Sequence, residues 1–440
     1  MALTYQQKNI IKVVIFVILF IVILALFRKK PQKTVNLEMW GVYDDPQVWN
    51  SIIYDFQKQY PYINIKYTLK DEENYHEELL QAFAEGKGPD IFMVLGDWLP
   101  KYYSKIQPLD LKKDKEINLK YLQDNYPEVV LTELVKENQL LGIPLSVDTL
   151  ALYYNRDIFN HFNVALPPKT WQEVIGLIPI LRQLDQTGNL KRTAIALGTS
   201  NNVKWASDIL SALMMQYGSN LINLTESSFN FHLESQWQNF RIKPGIEALK
   251  FYTQFADYKN KNYTWNEGFD NSILSFSQAK TAMVIGYQKD YNYIKSKNPQ
   301  LNFSVAPFPN FQNNPLSVNY ASTINLVVNS KIASQKQKAS WAFLKYLTQT
   351  APLDNYYLLT NHPPSRRDLI YKYLNDPING AFVSQILSSR SFYQFDSEVI
   401  KNIFSEMITK ANRKVDYKEA VESAIQKLNF SWSEQIKKQS

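Results

Sequence analysis

The chain has 440 residues, of which 45% are apolar and 14% aromatic, a globular composition in a chain long enough for two or three domains. It has no cysteine, which excludes disulfides and thiolate metal sites, and its four histidines show no metal-ligand spacing, so we expect no metal and no other cofactor. The formal charge of +7 comes from the N-terminus, because residues 1–34 hold six basic and no acidic residues and the remainder is almost balanced, so nucleic-acid binding is not expected.

The N-terminal segment is strongly apolar. Residues 13–27 are uninterrupted apolar, and Ile10 and Ile11 extend the run past Lys12 to about 18 residues, near the lower limit for a helix that spans a bilayer. A cleaved signal peptide is the alternative, but no small-x-small cleavage pattern follows, and there is no cysteine for lipid attachment. We therefore predict a transmembrane helix at about 10–27 within an anchor and linker at 1–34.

The charges that flank this segment favour a cytoplasmic C-terminal side. Lys8 and Lys12 precede it, whereas three basic residues at 28–30 and Lys33 follow it. Large domains translocate largely regardless of local charge, so charge alone does not decide the orientation.

Strand and helix patterns alternate after the linker. Strands are predicted at 35–40, 63–69 and 90–95, and helices at 46–60 and 74–85. This alternation is typical of βαβ units around a mostly parallel sheet.

The third of these strands delivers polar and aromatic residues to one edge of the predicted sheet. The sequence Gly-Lys-Gly-Pro at 86–89 ends the preceding helix, and the apolar residues 91–95 indicate a strand buried on both faces. Ligands bind at the carboxyl ends of strands in open α/β sheets, so Asp97 and Trp98, which follow this strand, are candidate ligand contacts.

The remaining two thirds of the chain continues the mixed pattern. Thr170 is a predicted helix N-cap, with Glu173 completing a capping box. The predicted segments are an extended stretch at 142–155, strands at 193–198, 281–286, 302–307 and 323–328, and helices at 171–184, 205–217, 244–257, 335–349, 397–411 and 416–432.

The ordered series of segments resembles the extracellular solute-binding proteins of ABC importers, specifically the sugar-binding family that includes maltose-binding protein. The matching pieces are 35–41, 86–98, 142–155, 281–287 and 361–366. The resemblance implies an α/β fold with two lobes that close as a hinged clamp, each lobe a mostly parallel sheet flanked by helices. It implies a first lobe of residues 35–147 plus 305–355, and a second lobe of residues 148–304 plus 356–440.

The resemblance also implies a function. The chain is expected to be a monomer that captures a sugar or oligosaccharide by hinge closure and delivers it to the subunits of an ABC permease. Its localisation is expected to be the cell membrane, as a single-pass protein with the C-terminal domain extracytoplasmic.

Sugar binding requires aromatic rings that stack on pyranose faces, together with charged or amide groups that bond the hydroxyls. In maltose-binding protein a basic residue stands where this chain has Trp98, and this departure indicates a different ligand or more stacking. The residues that the resemblance places in the cleft are Trp40, Tyr43, Asp97, Trp98, Asp148, Trp205, Tyr287 and Arg366.

Two other functions remain open. One is a surface carbohydrate receptor or adhesin-like module without a transporter, and the other is a carbohydrate-active enzyme. The sequence has no nucleophile elbow, zincin, Walker or dinucleotide motif. Adjacent carboxylates such as Asp44 and Asp45 are far more common on solvated turns than as a pair held across a glycosidic bond, so we expect no enzyme.

Overall fold

A computed structural model describes residues 33–314 and 317–439. The predicted transmembrane helix at about 10–27 lies outside the described residues. Among the residues that are described, no helix is both long and apolar enough to cross a membrane.

The first lobe is built on a six-stranded sheet. Its strand Ile91–Leu95 is buried along its whole length, as the apolar run predicted. The strands Ile63–Leu69, Val35–Gly41 and Ile91–Leu95 are parallel to one another, and Asn319–Val328 runs antiparallel to the last of them. The strands in spatial order are Ser389–Arg390, Asn319–Val328, Ile91–Leu95, Val35–Gly41 and Ile63–Leu69, with Gly142–Thr149 on the Asn319–Val328 strand.

Helices cover the first sheet with the apolar side chains that they bury. The helix Pro46–Gln59, for example, begins with proline after Asp45, whose carboxylate accepts from the Gln47 amide, and it buries Trp49 and Phe56. The α-helices of this lobe are Pro46–Gln59, Tyr75–Ala84, Leu99–Tyr102, Leu119–Asn125, Glu128–Leu134, Ser334–Leu347, Thr350–Thr360 and Arg367–Lys372. Shorter elements are the 3₁₀ turns Gly96–Trp98, Tyr103–Lys105 and Ile386–Ser388, and a small sheet of Leu109–Asp110, Val135–Lys136 and Gln139–Leu140.

The second lobe has a five-stranded sheet. The predicted capping box is confirmed, since the Thr170 hydroxyl accepts from the Glu173 amide and the Glu173 carboxylate accepts from the Thr170 amide. The strands in spatial order are Phe303–Pro307, Ala151–Asn155, Thr281–Gly286, Leu190–Ile195 and Gln183–Leu184. The α-helices are Arg156–His161, Trp171–Leu181, Ala206–Gln216, Pro244–Thr253, Ser272–Ser277, Lys289–Lys297, Ser397–Asn412 and Tyr417–Gln439, with Gly380–Val383 between the two cores. The hairpins are Ile222–Asn223 with Ser228–Phe229, and Ser235–Trp237 with Phe240–Ile242.

The second sheet is mixed, which differs from the mostly parallel sheet expected for each lobe. Ala151–Asn155 pairs antiparallel with both of its neighbours, and only Leu190–Ile195 and Thr281–Gly286 pair in parallel. The reason is that Ala151–Asn155 enters directly from the first lobe and not from a helix on the face of its own sheet.

Extended segments carry the chain between the lobes. Gly142–Thr149 of the first sheet continues through Leu150 into Ala151–Asn155 of the second. The return passes from Phe303–Pro307 to Asn319–Val328, so the two crossings lie side by side. Such paired strands are the usual hinge of a two-lobed clamp.

The lobe boundaries differ from the expected ones at two places. The return to the first lobe was expected at 305, but Phe311 and Tyr320 still pack in the second core. The final passage to the second lobe was expected at 356, but Tyr356 and Ile386 pack in the first core, and the second core resumes by Phe392. An apolar helical stripe shows that a helix is buried and not which sheet it covers, so the sequence did not reveal this.

Candidate ligand-binding cleft

A small cavity lies where the two lobes meet. The first lobe contributes Asp97 and Glu133, and the second contributes Asp208 from the helix Ala206–Gln216. Its free space is about 20 Å³, enough for about one water molecule, so a sugar can enter only if the lobes separate. The lining residues are Asp97, Glu133, Asp208, Tyr320, Ala321, Ser322, Ser391, Phe392 and Gln394.

Each of the three carboxylates is held by a neighbour. Glu133 Oε2 accepts a hydrogen bond from the Thr323 hydroxyl, and Asp208 Oδ2 accepts one from the Tyr287 hydroxyl at 2.8 Å. Asp97 Oδ2 lies 3.3 Å from the Lys401 Nζ atom on the helix Ser397–Asn412. This ion pair joins the two lobes across the cavity.

Burial and the charge of Asp97 raise the pKa values of the other two carboxyl groups. Burial, together with the charge of Asp97, raises the pKa of Glu133 to about 7. The same two causes raise the pKa of Asp208. Burial alone would lower the pKa of Lys401, but the charges of Asp97 and Asp208 outweigh it and raise that pKa. The cavity is therefore a region of negative potential.

Aromatic rings flank the cavity on the side of the second lobe. The Trp205 and Tyr287 rings meet edge to face with their centroids 4.8 Å apart. Asp290, which is fully buried, accepts hydrogen bonds from Trp205 Nε1 at 2.6 Å and from the Tyr287 amide at 3.0 Å. Its other oxygen accepts from Lys204 Nζ at 2.8 Å. Asp290 thus fixes the orientation of the Trp205 ring and holds the main chain at Tyr287.

A lysine lies between aromatic rings of opposite lobes. The Lys289 Nζ atom is 4.6 Å from the Trp205 ring centroid and 5.4 Å from the Tyr43 ring centroid. Tyr43 belongs to the first lobe, and its hydroxyl donates to Glu72 at 2.9 Å. Lys289 is therefore a second cationic bridge between the lobes.

Asp148 lies in the hinge. It is 8% exposed, and its oxygens accept from the Gln288 amide, at 2.9 Å for Oδ2, and from the Thr149 amide at 2.8 Å. Burial raises the pKa of Asp148 to about 7, against these hydrogen bonds. Nearby, His362 Nε2 lies 3.3 Å from the buried Asp44 carboxylate.

Five of the residues expected in the cleft are therefore brought together by the structure. Asp97 lines the cavity, Tyr287 bonds one of its carboxylates, and Tyr43 and Trp205 flank Lys289. Asp148 bonds the main chain of the residue that follows Tyr287.

Trp40 and Trp98 make their described contacts within the first lobe. Trp98 is 7% exposed, and its ring centroid lies 4.0 Å from that of His76 in the core. Trp40 is half-buried, with the Lys70 ammonium 3.9 Å from its ring centroid. The 3₁₀ turn at Gly96–Trp98 points successive side chains in different directions, so Asp97 and Trp98 reach different surroundings.

Arg366 also lies within the first lobe. Its guanidinium donates to the Thr348 carbonyl at 2.6 Å, to Asn125 Oδ1 at 2.7 Å and to the Tyr121 hydroxyl at 3.1 Å, and it pairs with Asp368. These contacts use most of its donors, which is typical of a structural arginine.

Sequence reasoning did not select several residues of the site. Asp208 follows Trp205 by one helical turn, and this spacing was a usable signal. Glu133 and Lys401 occupy polar positions of amphipathic helices, where their sequence pattern matches that of any surface charge. The residues missed are Glu133, Asp208, Lys289, Tyr320 and Lys401.

Comparison with known proteins identifies the family. The family model for bacterial extracellular solute-binding proteins matches residues 41–352. The chain belongs to this family. The resemblance noted in the sequence is thus confirmed at the level of the solute-binding family.

Individual relatives are distant. A putative binding protein of Brucella abortus is 21% identical over 67% of this chain and 66% of its own length. The maltodextrin-binding protein MdxE of Bacillus subtilis is 24% identical over 68% of this chain and 66% of its own length. The chain therefore spans about two thirds of the length of these curated relatives.

Solved solute-binding proteins have the same two-lobed fold. The sugar-binding protein MalE of Xanthomonas citri matches with a TM-score of 0.73 and 21% identity, covering 92% of this chain and 100% of that one. The cyclic alpha-maltosyl-1,6-maltose binding protein of Arthrobacter globiformis matches with a TM-score of 0.74 and 15% identity, covering 91% and 99%. The expected α/β clamp is confirmed by these likenesses.

Proposed function

We propose that this solute-binding protein captures a sugar or oligosaccharide between its lobes and delivers it to an ABC permease, while an N-terminal segment tethers it to the outer face of the cell membrane. The observation that carries the proposal is the cavity between the lobes, where carboxylates of both lobes meet beside aromatic rings. Carboxylates accept charge-assisted hydrogen bonds from sugar hydroxyls, and the rings offer apolar faces for the pyranose C–H groups.

We assign the solute contacts to residues that both the sequence and the geometry favour. Asp97 would accept from hydroxyls, Trp205 and Tyr43 would stack, and Tyr287 and Asp148 would order the hinge side of the cleft. Trp40, Trp98 and Arg366 are left out of this set because their contacts lie within the first lobe.

The proposed mechanism is capture followed by closure. In the described arrangement the cavity has room for about one water molecule, so the open form must admit the solute. The solute shifts the equilibrium towards the closed form only by the difference between its affinities for the two forms. Groups that meet only on closure, such as Asp97 and Asp208, supply that difference.

Names of relatives support the choice of sugar. One relative is called a maltodextrin-binding protein and another a galactooligosaccharide-binding protein. Solved neighbours were crystallised with maltotetraose and with alpha-D-tagatose. A tether would keep the protein at high effective concentration beside a permease.

A thermal-unfolding screen tests the proposal. The full-length chain in detergent is heated with a panel of mono- and oligosaccharides, and a bound solute at 100 times its Kd stabilises the folded chain by about 2.7 kcal/mol. Trp205→Ala should abolish the stabilisation by the solute, and Trp237→Ala, at a half-buried tryptophan of the second lobe, is the matched control. A panel in which no sugar raises the melting temperature, while a polyamine does, would overturn the sugar assignment.

Delivery to a permease needs its own measurement. ATP hydrolysis by a candidate ABC permease from the source organism is measured in proteoliposomes with and without the full-length chain. The expected result is stimulation only when the chain and its sugar are both present. Stimulation that does not require the chain would favour a surface receptor without a transporter.

A further inference from the structure

We propose that the solute carries a protonated primary amine, which binds between the carboxylates of Asp97, Glu133 and Asp208. The inference rests on the proposed function and narrows it, because the solute then becomes an amino sugar or an oligosaccharide that contains one.

The first argument is the charge of the cavity lining. Of the described residues that line it, three are carboxylic acids and none is a lysine or an arginine. Lys401 reaches the cavity from its rim, where it pairs with Asp97 and, on its own helix, with Glu398. On closure over a neutral solute, Glu133 and Asp208 must either bury their charge or take up a proton, and both cost free energy. A cationic group on the solute removes this cost.

The second argument is the size of the space. The cavity holds about 20 Å³, which fits a group as large as one water molecule. An ammonium group has about this size and carries three N–H donors, whereas a hydroxyl carries one. The lining of this space contains three carboxyl groups, and these match an ammonium better than a hydroxyl.

The third argument is an acceptor that no described residue satisfies. Asp97 Oδ1 has less than 1 Å² of accessible surface and accepts no hydrogen bond within residues 33–314 and 317–439. A buried carboxylate oxygen without a donor costs free energy that a donor from the solute would recover.

The fourth argument is the lysine already present in the cleft. The Lys289 ammonium lies between the Tyr43 and Trp205 rings, one from each lobe. Two aromatic faces that hold an ammonium in the closed protein provide the environment that attracts other ammonium groups. The aromatic wall and the acidic lining thus favour the same class of solute.

Sugars that differ in a single substituent measure how much the amine contributes to binding. Binding to the full-length chain in detergent is measured by calorimetry for glucose, glucosamine and N-acetylglucosamine, and for the corresponding galactose, mannose and trisaccharide sets. In at least one set, we expect the amino sugar to bind at least about tenfold more tightly than the neutral sugar and the N-acetylated sugar. Spermidine is included as an amine without a sugar ring.

Three variants locate the effect. Asp97→Asn and Glu133→Gln should each weaken the binding of amino sugars at least about fivefold. The binding of neutral sugars should change less. Glu133→Gln breaks no ion pair, so it keeps the test valid if Asp97→Asn unfolds. Glu234→Gln, at an exposed carboxylate of the second lobe, is the control and should change nothing.

The outcomes distinguish the two proposals. If neutral sugars bind as tightly as amino sugars, the proposal of an amine on the solute is wrong, and the proposed function is unaffected. An amine preference that survives both Asp97→Asn and Glu133→Gln would overturn the assigned position. Binding of spermidine with no sugar of any kind, or no binding at all, would overturn both proposals.

Discussion

Lys401 in the second lobe lies 3.3 Å from Asp97 in the first lobe, measured from Nζ to Oδ2. Their side chains are 35% and 16% exposed, so solvent screens the pair only in part. Asp97 follows a buried strand of the first sheet after one glycine, and Lys401 lies on the amphipathic helix Ser397–Asn412. The pair therefore favours the closed arrangement even before a solute supplies contacts of its own.

Removing this lysine should open the cleft. Lys401→Met is expected to reduce the preference for the closed form by about 1 kcal/mol. Fluorescence energy transfer between labels at Lys87→Cys and Lys261→Cys, one in each lobe, reports the opening, and the absence of native cysteine makes the labelling specific. We expect lower transfer efficiency without solute.

The control for this variant is Lys418→Met. Lys418 pairs with Glu422 at 3.9 Å on the C-terminal helix, away from the lobe boundary. Equal transfer efficiency in the Lys401→Met variant and the parent would mean that the ion pair does not hold the lobes together.

Asp290 should control solute affinity without touching the solute. Asp290→Asn keeps one acceptor oxygen but loses the negative charge. The two carboxylate oxygens together accept hydrogen bonds from Trp205, Lys204 and the Tyr287 amide, and one amide oxygen cannot accept all three in the same way. A freer Trp205 ring should weaken solute binding about tenfold, measured by calorimetry, and should change the tryptophan emission spectrum. Asp270→Asn, at a surface pair with Lys280, is the control. Unchanged affinity together with an unchanged spectrum would contradict this positioning role.

The first sheet was predictable because apolar residues repeat regularly along its strands and helices, with a different period in each. Residues 91–95 form the expected buried strand, and the helix predicted at 46–60 is observed as Pro46–Gln59. The lobe boundary after residue 355 was not predictable in this way. The helix Thr350–Thr360 exposes some of its leucines and Arg367–Lys372 is short, so neither sequence shows which of the two sheets the helix covers; that choice depends on tertiary packing.

The site was predictable where a residue follows a strand or opens a helix. Asp97 and Trp205 stand at such positions, and the structure places both beside the cleft. Glu133 lies near the end of the short helix Glu128–Leu134 and Lys401 in the second turn of Ser397–Asn412, and neighbouring residues give no directional signal at either position. Trp98 was expected in the cleft for the same reason as Asp97, but it is the next residue along the 3₁₀ turn and its side chain lies in the core.

Arg366 should contribute to stability and not to binding. Arg366→Lys replaces a fork of five donors by a single ammonium, which cannot reach Thr348, Asn125 and Tyr121 at once. We expect the free energy of unfolding in urea to fall by about 2–4 kcal/mol, with the affinity for solute unchanged. The neighbouring Arg367→Lys is the matched control and should be nearly neutral. A loss of affinity at unchanged stability would instead return Arg366 to the site.

Glu133 and Asp148 should make the folded chain less stable as the pH rises towards neutrality. Burial raises the pKa of each carboxyl to about 7, from ordinary values of 4.5 for Glu133 and 3.8 for Asp148. Between the ordinary and the raised value the folded chain keeps a proton that the unfolded chain has released. The stabilisation is therefore complete below about pH 4 and is lost as the pH rises through about 7.

Variants that cannot titrate isolate this effect. Glu133→Gln and Asp148→Asn should each flatten the fall in unfolding free energy between about pH 4 and 7, by at most about 1.4 kcal/mol per pH unit. The free energy is measured by urea unfolding at a series of pH values, and each variant is compared with the parent so that other titrating groups cancel. Asp185→Asn is the control, because local hydrogen bonds lower the pKa of Asp185 to about 2 and its effect is confined to pH values below about 4. Parallel curves for the parent and both variants over this range would show that neither carboxyl is protonated in the folded chain near neutral pH.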